Sequence, residues 1–175
     1  MEELVSRLAG AVIGDTFNFY RHGDGADTRR DRLLAYLRSR ENAPLLVVGE
    51  AAGYRGARVS GIPFTSERQL TGRGPAEASA TIVHRVLAEL GLEERVLLWN
   101  VVPTHPGTAT SNRRPKTGEV AAGLPFAVEL ARGRSVIAVG RLAQAVLQAP
   151  YVRHPSHGGA ADFREGLLRF AVGGR

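Results

Sequence analysis

Three short apolar runs, Leu45–Gly49, Val96–Asn100 and Ser135–Gly140, punctuate the chain, and each ends in a glycine or a polar residue. Unbroken Val/Leu/Ile runs of this length read as strands buried on both faces, the pattern of a parallel sheet rather than of a half-exposed antiparallel one. Parallel neighbours need long crossovers, and the intervening segments supply them. Helical periodicity is expected over Met1–Gly14, from about Asp27 to Arg40, over Glu77–Leu90 with a stop at Gly91, over Thr117–Ala131 with a bend near Gly123 and Pro125, and over Leu142–Gln148. Tyr151–Arg153 reads as a brief fourth strand, and Ala160–Phe170 as a closing helix or extended tail. The predicted fold is α/β: a three-layer sandwich, its short, about four-stranded parallel central sheet flanked by helices, in a single domain over residues 1–175.

The absence of cysteine excludes disulfides, thiolate zinc sites and Cys-ligated iron–sulfur clusters, and fits a reducing compartment. No apolar run approaches the ~18 residues of a membrane span. The N-terminus carries Glu2, Glu3 and Arg7 and lacks the long apolar core of a signal peptide. A cytoplasmic protein without membrane association is expected. The formal net charge is +6, the electrostatic footprint of a nucleic-acid binder.

In parallel sheets, ligands bind at the carboxyl ends of the strands. Glu50 follows the first run, Asn100 ends the second and His154 follows the fourth, so all three are expected at one sheet edge. The polar stretch from Glu50 to Pro75, with five glycines and two prolines, is long enough for a functional loop. Neither a P-loop nor a GxGxxG motif follows the first run, which argues against nucleotide binding.

Four segments at these positions carry a resemblance: Gly49-Glu50-Ala51-Ala52-Gly53, Gly61-Ile62-Pro63-Phe64, Trp99-Asn100-Val101-Val102-Pro103, and Arg153-His154-Pro155-Ser156-His157-Gly158-Gly159. In this order they resemble the uracil-DNA glycosylase superfamily, over about Leu45 to Gly159: the first its water-activating loop, the last its HPS loop. The resemblance implies a base-excision repair glycosylase that flips uracil out of DNA and hydrolyses its N-glycosidic bond. It implies action on double- or single-stranded uracil-containing DNA, at the bacterial nucleoid; no metal or cofactor is expected, and a monomer is expected because the pocket can be built within one chain. Glu50 would orient the attacking water, and His154 would donate to O2 as charge develops on the departing uracil. Phe64 would stack on the base, and Asn100 would pair with O4 and N3–H. Gly49, Ala51 and Gly53 would line the base site. Ser156, His157, Arg113 and Arg114 would meet the DNA backbone, with Lys116 in the same basic loop. An amide free to rotate would also accept cytosine, so contacts holding Asn100 in one orientation are expected.

The chain departs from the family pattern in several places. Ala51 stands where the best-known branch has its catalytic carboxylate, and Ala52 replaces a proline that stiffens the loop. Gly53 stands where the strictest uracil enzymes carry a tyrosine that excludes the thymine methyl, leaving that exclusion unexplained. The HPS loop lacks the leucine wedge of many relatives, and the four cluster cysteines of the GEAPG branch are missing. No lysine stands out as a Schiff-base nucleophile, so a monofunctional enzyme leaving an abasic site is expected. Two alternatives stay open: a glycosylase of the same fold for hypoxanthine, xanthine or 5-hydroxymethyluracil, and a catalytically weak protein that binds damaged DNA.

Overall fold

The computed structural model describes residues 1–172. Four parallel strands, β1 (Leu45–Ala51), β2 (Val96–Val102), β3 (Ser135–Val139) and β4 (Tyr151–Val152), pair in the order β2-β1-β3-β4. Eight helices accompany them among the described residues: α1 (Glu2–Gly10), α2 (Ala26–Ser39), α3 (Ala57–Ser60), α4 (Glu67–Thr71), α5 (Ala78–Glu89), α6 (Thr117–Ala131), α7 (Arg141–Leu147) and α8 (Ala160–Val172). Because side chains alternate along a strand, β1, β2 and β3 each feed two cores. Leu46, Val48, Leu97, Trp99 and Val101 join one cluster with Leu4 and Leu8 of α1, Leu33 and Leu37 of α2, Phe126 of α6 and Ala143 of α7. Leu45, Val47, Val96, Leu98, Ile137 and Val139 join the other, with Val83 and Leu87 of α5 and Phe163 and Leu167 of α8. The expected three-layer α/β architecture is the observed one. None of the helices is long and apolar enough to cross a membrane.

Several boundaries differ from expectation for identifiable reasons. Helix α1 ends at Gly10 rather than Gly14, because Ala11 turns extended and the Asn18 amide donates to the freed carbonyls of Leu8 (2.8 Å) and Ala11 (3.0 Å). The polar stretch after β1 is not one loop: it holds α3 and α4, and Ser66 and Gln69 cap α4 reciprocally. Strands β1 and β2 each run two residues further than their apolar runs, since the ladder uses backbone groups whatever the side chain. Glu50 therefore lies inside β1 rather than after it, and Asn100 inside β2, paired with Gly49, rather than at its end. Arg153 falls outside β4, and residues 160–172 are helical rather than an extended tail.

Helix α6 runs unbroken through Pro125, and Gly123 serves close packing. A Cβ on Gly123 would lie 2.4 Å from the Val101 carbonyl oxygen, so the helix sits directly on the β2 backbone. The first turn of α6 is anchored by Glu119, whose side chain is only 1% exposed. Its carboxylate accepts from the Arg113 guanidinium through both oxygens (2.8 and 2.5 Å) and from the Lys116 backbone N–H at 2.8 Å. The Arg113 hydrogen bonds, helped by that N–H and by the guanidinium charge, outweigh desolvation and hold the Glu119 carboxyl at about 2.

Two expectations follow from this packing. Gly123→Val should cost about 1–3 kcal/mol, read as a lowered urea midpoint at unchanged slope, and an unmoved midpoint would contradict the close α6–β2 approach. A depressed carboxylate contributes stability that is complete above its ordinary value of 4.5 and is lost as pH falls towards about 2. Thermal melts of the native chain should therefore decline through that window. Arg113→Ala should lower stability near neutrality by about 2–4 kcal/mol and flatten the acid decline; an unaltered melting profile would show that the pair does not anchor α6.

Candidate active site

The carboxyl ends of β1 and β2, with the segment after β4, enclose a narrow recess of about 60 Å³. Glu50, Ala51 and Gly53 line it from β1 and its continuation, Asn100 from β2, His154 from beyond β4, and Phe64 from the segment after α3. It opens into a wider cleft of about 480 Å³, whose wall adds Ala52, Arg113, Arg114, Ser156 and His157.

Gly49 does not line the recess; it makes room behind it. A Cβ there would fall 2.3 Å from Phe64 Cζ and 3.0 Å from Asn100 Oδ1, so the ring closes against bare backbone. Phe64 holds a left-handed backbone (φ 53°), unusual for a bulky residue and a mark of a locally over-determined site. The determinants are nearby. The Ser60 hydroxyl donates to the Thr65 carbonyl at 2.6 Å, and Thr65 Oγ1 lies 3.0 Å from His84 Nε2. Burial pushes the His84 ring below the ordinary histidine value, partly offset by its hydrogen bond to the Phe64 backbone. The Phe64 side chain packs in the hydrophobic cluster that α5 and α8 share with the sheet and also lines the recess.

Asn100 is 4% exposed, yet among the described residues its carboxamide makes no hydrogen bond within the chain. The expected contacts holding the amide in one orientation are therefore not found. Its polar atoms are open to the recess rather than sealed in the core, so a ligand there can pair with them.

His154 has a defined tautomer. The Ser156 backbone N–H donates to its Nδ1 at 3.2 Å, so the neutral ring carries its proton on Nε2. The Ser156 hydroxyl lies 2.7 Å from the same Nδ1, and His157 Nδ1 lies 3.0 Å from that hydroxyl. Burial, and secondarily the His157 charge, push His154 below the ordinary histidine value, favouring the neutral form. Ser156 thus braces His154 from within the chain, a geometry its expected phosphate role did not include.

The basic loop divides. Arg113 lines the cleft, but its guanidinium is committed to Glu119, and Lys116 pairs with Asp15. Arg114 is exposed and, among the described residues, in no ion pair.

Four residues of the site were not anticipated. His105 is fully buried, with Nδ1 2.8 Å from the Ala52 carbonyl oxygen and Nε2 2.8 Å from that of Thr108. It ties the first loop to the loop after β2, a restraint where the usual proline is lacking. Asn112 adds a second tie by accepting from the Tyr54 backbone N–H at 3.0 Å. Glu77 and Ser79, at the start of α5, line both recess and cleft. A histidine between two prolines was the one available signal for His105; nothing in the local sequence marked the others.

The family model for the uracil DNA glycosylase superfamily matches residues 38–169. Among solved structures, SMUG2 from Pedobacter heparinus superposes with a TM-score of 0.68 at 13% identity, covering 98% of this chain and 95% of that one, a likeness of fold. UNG from Nitratifractor salsuginis aligns with a TM-score of 0.48 at 16% identity, covering 97% of this chain and 95% of that one. A search of curated proteins found no match. The family match spans all four strands and the whole recess, and the chain belongs to the uracil DNA glycosylase superfamily.

Proposed function

We propose that this chain excises uracil from DNA as a monofunctional glycosylase, acting as a single-domain monomer without metal or cofactor. The observation that carries this reading is the convergence of Glu50, Phe64, Asn100 and His154 on one recess at the carboxyl ends of the sheet. A base flipped from the helix stacks on Phe64 and satisfies the unpartnered Asn100 amide with its O4 and N3–H. The C1′–N1 bond breaks, its electron pair leaves with uracil, and the anion's charge spreads to O2. The Nε2–H of neutral His154 donates there, an interaction stronger in the transition state than in the ground state. Glu50 favours the cation-like sugar and orients the water whose oxygen bonds to C1′, and the proton that this water loses neutralises the departed uracil anion. Lys116, the only lysine, pairs with Asp15 and lines neither recess nor cleft, which supports hydrolysis over Schiff-base chemistry.

One observation favours a second reading. The Asn100 carboxamide lines the recess and can pair with any base presenting a lactam edge, hypoxanthine and xanthine included, and an unheld amide does not by itself reject cytosine.

The test is base release from duplexes carrying uracil opposite guanine, hypoxanthine or undamaged thymine, read as alkali-dependent strand breaks. Glu50→Ala, Asn100→Ala and His154→Ala should each slow single-turnover release of uracil by about 100-fold or more. Release of hypoxanthine but not uracil would move the assignment to the second reading, and release of neither would remove it. Since His154 acts neutral and its proton affinity is lowered, kcat/KM should stay level on acidification through 6.5 and fall only below it. A rise on acidification would overturn the neutral-donor role.

For DNA affinity, Arg114→Ala should weaken binding and reduce the slope of log K against log salt by about one. An unchanged slope would show that Arg114 touches no phosphate.

A further inference from the structure

Glu77 is the N-cap residue of α5, but its side chain makes no cap hydrogen bond, and the proposed chemistry does not use its carboxylate. It lines both the recess and the outer cleft, together with Ser79. Its carboxylate occupies the space beside two loop glycines. A Cβ on Gly53 would lie 2.2 Å from Oε1, and one on Gly56 would lie 1.9 Å from Oε2. The carboxylate thus fills the volume that a side chain at position 53 would take. Burial pushes this carboxyl above its ordinary value, a hydrogen bond from Ser79 opposes the shift, and no cation is among the groups acting on it. Half-buried carboxyls with no cation beside them are costly and cluster at sites of function.

The geometry of the recess indicates what Glu77 faces. This step rests on the reading that the recess takes uracil. Asn100 meets the O4/N3 edge, His154 meets O2, Phe64 covers one face, and Glu50 lies towards the sugar. The lining residues left for the C5 edge of the ring are then Ala51, Gly53, Glu77 and Ser79, and of these the Glu77 carboxyl is the side chain that fills the space beside Gly53. A hydrogen at C5 leaves the carboxyl its residual hydration. A methyl there would remove that water, return no hydrogen bond and compete for filled volume.

We propose that Glu77 is the specificity-determining residue at position 5 of the base: its carboxyl closes the wall that Gly53 leaves open and rejects the 5-methyl group of thymine. The separation of uracil from thymine then comes from a side chain on α5, reaching across to the loop after β1, rather than from that loop itself.

The experiment measures binding rather than release. Duplexes carry 2′-fluoro-deoxyuridine or 2′-fluoro-thymidine opposite guanine, where the fluorine blocks formation of the sugar cation and the base stays attached. Native protein, Glu77→Ala and Glu77→Gln are compared by the ratio of Kd values for the two duplexes. The native chain should prefer the uracil duplex by about ten- to a hundred-fold, the range one methyl group commands in a shaped pocket. Glu77→Ala should lose most of that preference by gaining affinity for the thymine duplex, and the isosteric Glu77→Gln should keep it. The ratio is taken on one preparation, so partial unfolding does not imitate the effect.

An unchanged ratio in Glu77→Ala, or equal weakening on both duplexes, would overturn the inference and leave Glu77 as a brace for the loop. A native chain that binds both duplexes equally well would overturn it while leaving the uracil reading intact. A native chain that binds neither better than an undamaged G·C duplex would overturn the uracil reading and this inference together, and that is evident before any variant is tested.

Discussion

The parallel pairing of β1 with β2 sets the positions on which everything else in the site depends. Its register places Gly49 opposite Asn100 and Ala51 opposite Val102. With no Cβ on Gly49, the Phe64 ring can close over the strand and form the floor of the recess beside the Asn100 amide. A one-residue slip would reverse the faces of the strand, sending Asn100 away from the recess and Trp99 out of its core. The two buried hydrophobic clusters resist that slip, because the apolar residues of β1 and β2 alternate between them.

Around this pair, buried polar groups take over where regular structure stops. His105 and Asn112 tie the loop after β1 to the loop after β2, and Ser60, Thr65 and His84 support the left-handed turn at Phe64. Arg113 and Glu119 lock the basic loop to α6. In surroundings of low dielectric, such satisfied networks hold loops as firmly as apolar packing holds strands. The loop after β1 therefore needs no proline at Ala52 to keep its shape.

The same economy governs charge. The chain is basic overall, yet two of the three cations in the loop after β2 are spent on internal pairs, leaving Arg114 to face solvent. The recess itself is lined by two carboxylic side chains, Glu50 and Glu77, and by a histidine whose proton affinity burial lowers. In the proposed reaction a negative leaving group departs from a cation-like sugar. A neutral donor at the base and a carboxylate at the sugar match that separation of charge.

The alternation of apolar runs with helical segments was enough to establish the α/β class, since unbroken Val/Leu/Ile runs must be covered on both faces. The rule that ligands meet strand ends then singled out Glu50, Asn100 and His154, because these chemistry-bearing residues sit at those ends in the chain itself. Strand ends were misjudged by two residues because backbone pairing continues under polar side chains. Contacts distant in sequence stayed hidden. Arg113 and Arg114 look alike in sequence, but only the packing of α6 brings Glu119 to one of them. The brace of His105 on Ala52 spans the gap between two strands, and Glu77 reaches Gly53 only because α5 starts beside the first loop. Local pattern decided which elements form and which residues lie at their ends; the three-dimensional packing decided which charges are free, which amide is left unpaired and which side chain fills a glycine's empty place, because those depend on distances between segments that no local pattern encodes.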